Sequence, residues 1–175
     1  ELQKKLGLEK LPIHIECFDN SNVSGTDAVA GCVVFKKTKP SKKDYRKYNI
    51  KTVIGPDDYA SMSEVVSRRY RRLIEENEPL PDLIIADGGK GQMDAIIGVV
   101  KGELGLDIPV LGLIKNSRHK TSEVITENGN VNFAVFTTVD QQYIIYDSEL
   151  TSYVPELIVE TAKEMVISFE IVNGE

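Results

Sequence analysis

The chain has no tryptophan, two cysteines, two histidines and three methionines in 175 residues. Cys17 and Cys32 both sit in apolar runs, which fits packed, reduced core thiols; a structural disulfide is the alternative. With only those thiols, His14 and His119, a tetrahedral Cys/His zinc cage is not expected. No apolar run approaches the roughly 20 residues that a membrane span needs, and no basic-then-apolar leader stands at the start. A cytoplasmic protein without membrane contact is expected. The first residues, ELQKKLGLEKL, open inside an amphipathic stretch, as an excised domain would. Internal repeats and low-complexity segments are lacking.

Hydrophobic residues make up 41 % and charged residues 27 %, ordinary for a globular protein. The length suits one domain, residues 1–175, able to bury roughly two-thirds of its unfolded surface. The net charge of −6 is unevenly spread. Residues 122–175 hold ten acids against the one base Lys163, a balance of −9, which leaves +3 for residues 1–121. Residues 36–51 set eight bases around the one acid Asp44. A local basic surface facing a polyanion is expected there.

Short apolar runs with turn residues after them predict strands over 12–18, 27–37 and 48–54, joined as an antiparallel meander. After Asp57-Asp58, an N-cap candidate, Tyr59, Met62, Val65, Val66, Tyr70, Leu73 and Ile74 recur at helical spacing. Arg68, Arg69, Arg71 and Arg72 are read as lying mainly off that stripe. Residues 82–86 predict a buried strand, 90–103 a second helix weakened by Gly98, and 109–114 another strand. The order β-β-β-α-β-α-β predicts an α/β fold, a mixed sheet with flanking helices. Further on, Asn128-Gly129 reads as a hairpin turn, QQYIIY as a strand, 149–166 as a helix and VISFEIV as a strand.

Asp19 and Asp87 each end a predicted strand. If those strands are parallel neighbours, both carboxylates emerge at one edge of the sheet, where α/β folds place their sites. Close carboxylates repel unless a cation or proton lies between them, and magnesium or manganese, hard ions that take oxygen ligands, would relieve the repulsion. The plainer alternative is that both are turn-forming or capping aspartates. Gly88-Gly89-Lys90-Gly91-Gln92 opens a helix and permits close backbone approach to a phosphate, but it lacks P-loop spacing. KKTKPSKKDYRKYNIK interleaves bases with Tyr45 and Tyr48, for phosphate neutralisation and stacking, against the alternative of a solvated hairpin. His119 reads as a surface residue beside bases, and His14 as a strand residue facing away from Ile13 and Ile15.

The stretches IECFDNSNVSGTDAVAGCVVF, KPSKKDYRKYNIKTVIGPDDYASMSEVVSRRYRRL, LPDLIIADGGKGQM and DIPVLGLIKNSRHKTSE resemble the C-terminal endonuclease domain of the UvrC family of bacterial excision repair. The resemblance covers residues 1–123, with 124–175 a divergent acidic tail. It implies a ribonuclease H-like fold and a magnesium- or manganese-dependent DNA endonuclease. Such a domain incises 5′ to a lesion on a UvrB–DNA complex. It assigns Asp19 and Asp87 as catalytic, metal-holding residues. It places Lys90, Lys115 and Arg118 at phosphates, and Lys42, Lys43, Tyr45, Arg46, Arg68 and Arg69 on the DNA-facing surface.

The family's third catalytic residue is a histidine on a later helix, yet no histidine follows His119. Alignment on Ala162 puts Lys163 there; alignment on Phe169 and Ile171 puts Ile167 there. A non-catalytic DNA- or protein-binding module on the same fold is therefore one alternative, and RNA-strand cleavage another.

Overall fold

The computed structural model describes residues 3, 6–21, 29–37, 39–115, 121–131, 133–137, 143–147, 156–160 and 166–170. Strands β1 (His14–Ser21), β2 (Val29–Lys36), β3 (Lys39–Pro40) and β4 (Arg46–Asn49) precede helix α1 (Asp58–Glu75). Then come β5 (Leu83–Ala86), helix α2 (Lys90–Ile97), a π-helical extension (Gly98–Glu103), β6 (Val110–Lys115), β7 (Thr121–Thr126) and β8 (Gly129–Val131). The sheet runs β3-β2-β1-β5-β6-β7-β8, with β4 also on β2. β1 is antiparallel to β2 and parallel to β5; β5 is parallel to β6, and β7 turns back antiparallel to β6. The expected mixed α/β order holds through β6. Within the described residues no helix is long and apolar enough to cross a membrane.

Alternation along the buried strands gives the sheet two apolar faces. Phe18, Val34 and Ile84 pack with Met62, Val66 and Tyr70 of α1 on one face. Ile15, Cys17, Val33, Leu83, Ile85 and Leu113 form the other. Phe18 meets Tyr70 edge to face, with ring centroids 6.0 Å apart at 72°. Both cysteines are buried and stand outside any disulfide.

The first helix starts where the sequence predicts it. The Asp57 carboxylate accepts hydrogen bonds from the backbone N–H of Tyr59 (3.1 Å) and Ala60 (2.9 Å), capping donors that the first turn cannot satisfy. The strand expected over 48–54 is shorter, ending at Asn49. Its continuation gives the N–H groups of Lys51 (2.9 Å) and Thr52 (2.8 Å) to the Glu64 carboxylate instead of to a ladder. Those bonds outweigh the cost of its burial and hold Glu64 at a pKa of about 2.

Two expectations differ. Tyr59 and Ile74 were placed on the buried stripe of α1 but are exposed. They sit in the first and last turns of α1. In the tail, two antiparallel ribbons pair β9 (Phe133–Thr137) with β10 (Tyr143–Asp147) and β11 (Glu156–Glu160) with β12 (Val166–Glu170). Residues 156–160 are therefore strand, not the expected helix. The run LIV at 157–159 is β-branched or leucine throughout, a composition that suits a strand.

Candidate functional site

The parallel pairing of β1 with β5 decides where the aspartates stand. Phe18 and Ala86 are register partners, and the N–H of Asp87 donates to the Phe18 carbonyl at 2.8 Å. The ladder thus runs one residue past β5, and Asp19 and Asp87 occupy adjacent positions on neighbouring strands, their backbones about 5 Å apart across the pairing. Asp19 shares the parity of Ile15 and Cys17, and Asp87 that of Leu83 and Ile85, so both continue one row on the face opposite the helices. Asp87 is 6 % exposed, whereas Asp19 is half-buried. Asp19 stands inside β1 rather than after it, because Asn20 and Ser21 still pair with β2.

The turn after Asp87 packs closely against β6. A Cβ on Gly112, the register partner of Ala86, would lie 3.2 Å from the Gly88 carbonyl oxygen and 3.3 Å from Met93 Cβ. Glycine at 112 lets that turn fold back into α2. Two adjacent carboxylates, one buried and one reaching solvent, form an all-oxygen donor pair suited to a hard divalent cation that keeps several waters. Within the described residues no group of three or more His, Cys, Asp or Glu side chains could hold a metal ion.

The basic segment is less uniform than its composition. Lys42 and Lys43 are exposed on a short 3-10 turn (Lys42–Asp44). Lys36 is paired to Asp44 at 2.8 Å, and hydrogen bonds from Lys36 and Ser41 hold that carboxyl at a pKa of about 2. The Arg46 guanidinium donates to the carbonyls of Lys43 (2.9 Å) and Tyr45 (2.7 Å). Tyr45 and Tyr48 are the two tyrosines of the segment. Both are half-buried against the core, and the Tyr48 ring is covered by Arg68, whose guanidinium carbon lies 5.6 Å from its centroid. Arg68 also binds Glu64 (3.0 Å) and the Asn49 carbonyl (2.8 Å). Exposed Lys90 pairs with Asp94 at 2.9 Å. Lys115 ends β6, while Arg118 and Lys163 lie outside the described residues.

Arg69 does not face solvent. It is 7 % exposed, and its Nε and Nη2 donate to the two Glu16 oxygens at 2.5 Å each. Tyr70 Oη donates to Glu16 at 3.0 Å, and His14 Nε2 lies 3.1 Å from it. Burial alone would raise the Glu16 pKa, but the bonds from Arg69 and His14 outweigh it and hold the carboxyl low. Burial pushes the Tyr70 hydroxyl and the Cys32 thiol well up. The positions 62, 65, 66, 69, 70 and 73 are one helical stripe, so spacing alone marks Arg69 as inward. A glutamate in the middle of the apolar run IHIECF is the matching signal for its partner.

Register also separates the basic residues. Lys42 and Lys43 follow Lys39, which pairs with Lys36 opposite His14, five residues or about 17 Å along β1 from Asp19. Exposed Lys47 instead pairs with Gly31, the partner of Asp19, two strand spacings or about 10 Å away. Composition offered Lys47 only as one base in a run; the antiparallel register singles it out.

Residues 3–160 match the family described as the UvrC RNAse H endonuclease domain. The UvrABC system protein C of Bacteroides thetaiotaomicron and that of Bacteroides fragilis are each 69 % identical to this chain over 125 residues. The match covers 71 % of this chain and 20 % of each relative, so the chain spans about one fifth of their length. Among solved structures, the catalytic domain of human endonuclease V aligns at a TM-score of 0.43 and 16 % identity, covering 79 % of this chain and 65 % of that one.

Proposed function

Because the chain belongs to the UvrC RNAse H endonuclease domain family, we propose that it is a divalent-metal-dependent DNA endonuclease domain of nucleotide excision repair. It makes the incision 5′ to a lesion, in the cytoplasm, on DNA presented with a UvrB-type partner. The observation that carries this is the adjacency of Asp19 and Asp87 where the parallel pairing of β1 with β5 ends.

Asp19 and Asp87 are the residues that would hold magnesium or manganese, whose chemistry is to polarise the scissile phosphate and lower the pKa of an attacking water. Buried Asp87 fixes one ligand through the rigid β1–β5 pairing, and half-buried Asp19 opens the pair to substrate. Lys47, with Lys42 and Lys43 farther along, neutralises backbone phosphates and sets the direction of the strand. Buried Arg69 has no part in binding; it holds α1 to β1 through Glu16, the residue three before Asp19.

A nicking assay on lesion-bearing DNA in magnesium and in manganese tests the proposal. Metal-dependent nicking is expected, abolished in Asp19→Asn and Asp87→Asn with the fold unchanged by circular dichroism. Nicking that persists in both variants would overturn it.

The basic surface has its own expected outcome. Replacing Lys42, Lys43 and Arg46 together by alanine should flatten the plot of log affinity against log salt by about 2–3 in slope, because each lost phosphate contact releases about 0.9 fewer counterions. An unchanged slope would show a solvated turn. Lys47→Ala should lower the slope by about 1 and also slow nicking at saturating DNA, since Lys47 lies level with Asp19, unlike Lys42 and Lys43.

A further inference from the structure

Between the N-terminal turns of α1 and α2, on the helix side of the sheet and at the same end of β1 and β5 as the aspartates, lies a cleft of 410 Å³, lined by Pro56, Asp57, Asp58, Tyr59, Gly89, Gly91 and Gln92. Its volume falls within the roughly 300–1,000 Å³ usual for small-ligand sites. Both rims are tied to the aspartates. Gly89 is two residues beyond Asp87, and Asn20, next to Asp19, donates from Nδ2 to the Asp58 carbonyl at 2.6 Å.

The wall of the cleft is an aromatic ring. Tyr59 is 58 % exposed, in the first turn of α1. One side of it rests on Gly91, where a Cβ would come within 2.5 Å of ring carbon Cε1 and 2.7 Å of the hydroxyl. Any larger residue at 91 would push the ring away. The backbone beneath Tyr59 is fixed too: its N–H is capped by Asp57, and Glu64 anchors the preceding loop at Lys51 and Thr52. A ring so held, with much of its surface open at the same end of β1 and β5 as the aspartates, presents a flat apolar platform at little entropic cost.

Two features choose the occupant. The carboxylates of Asp57 and Asp58 line the same cleft, and one of them already serves as a helix cap, so a phosphate would meet negative charge there. The face of a neutral base meets no such penalty. Bases in a duplex are covered on both faces by their neighbours, so only an unpaired or splayed nucleotide can offer one.

Resting on the proposed endonuclease function, we infer that the Tyr59 cleft is a subsite for one unpaired nucleotide flanking the cleaved phosphate, with its base stacked on the Tyr59 ring. The subsite favours strands already opened at the cut. It accepts any base, because stacking reads no hydrogen-bond edge.

The test uses the whole chain in EDTA, so that no metal is needed, and short single-stranded oligonucleotides carrying 2-aminopurine at each position in turn. Parent binding should quench one position through stacking. Tyr59→Phe should keep both the quench and the affinity. Tyr59→Ala should lose the quench and bind about ten-fold more weakly, and Gly91→Ala, which displaces the ring, should shift both in the same direction. Because Tyr59 is exposed, the thermal midpoint of Tyr59→Ala should match the parent. Absence of saturable binding by the parent would overturn the inference, as would Tyr59→Ala retaining the quench with affinity within two-fold. Failure of the aspartate pair to bind manganese would bear on the endonuclease function and leave this readout untouched.

Discussion

Glu16→Ala is expected to destabilise the protein by about 3–5 kcal/mol, the usual cost of removing one partner from a buried ion pair. Arg69 is then left 7 % exposed with its bidentate acceptor gone, and Tyr70 Oη loses its acceptor as well. For a chain of this length the thermal midpoint should fall by roughly 6–20 °C. Replacing both charges, as in Glu16→Leu with Arg69→Met, should recover most of the loss, since a packed apolar pair of similar volume often equals a buried salt bridge.

The pH dependence separates the pair from simple packing. In the parent the Glu16 carboxyl is held below its ordinary value of 4.5. It therefore contributes stability that is present above that value and is lost as the pH falls toward the folded-state pKa. In Arg69→Met burial acts without its main opponent, and the folded pKa rises above the ordinary value. That variant gains stability as the carboxyl takes up a proton at low pH. The gap in midpoint between parent and Arg69→Met should shrink from pH 7 to pH 4. A gap independent of pH, or a Glu16→Ala loss under 1 kcal/mol, would contradict the structural role given to the pair.

The second large effect concerns the histidine that the UvrC resemblance leads one to expect. None follows His119. A positioned general base contributes typically 10²–10⁴-fold, so the parent should nick slowly and one histidine variant should gain within that range. Lys163 lies outside the described residues, and Ile167 lies in β12. At neutral pH the lysine is an ammonium that cannot accept a proton and repels a divalent ion, and isoleucine can do neither job. Lys163→His and Ile167→His, assayed beside the parent, distinguish the two alignments by which one gains. Fast nicking by the parent, abolished by Asp87→Asn and unchanged in both histidine variants, would show that the third group is supplied elsewhere.

The part of the fold legible in the sequence is the part fixed by local pattern. Short apolar runs bounded by turn residues locate β1, β2, β5 and β6, and the stripe beginning at Met62 with its Asp57 cap locates α1. Adjacency of Asp19 and Asp87 was legible only conditionally, because parallel pairing follows from the crossover through α1 and not from either strand alone. Arg69 was assigned to the surface by its neighbours in the RRYRR run, although its helical phase matched Met62 and Val66. Its partner Glu16 lies 53 residues away, beyond the reach of any local window. Tyr59 shares the phase of the stripe yet is exposed, since periodicity does not show how far along a helix its packing surface reaches. Lys47 could be singled out only by antiparallel register, which side-chain alternation does not specify.

The most direct test of the central claim is calorimetric titration of manganese into the metal-free chain, into Asp19→Asn and into Asp87→Asn. One saturable site is expected in the parent, weakened about ten-fold or more in each variant, because each substitution removes one anionic ligand of the ion. The metal-free variants should keep the parental thermal midpoint or exceed it, since close like charge is relieved. Equal manganese affinity in all three proteins would show that the two strand-end aspartates do not hold the ion, and would contradict the proposed site.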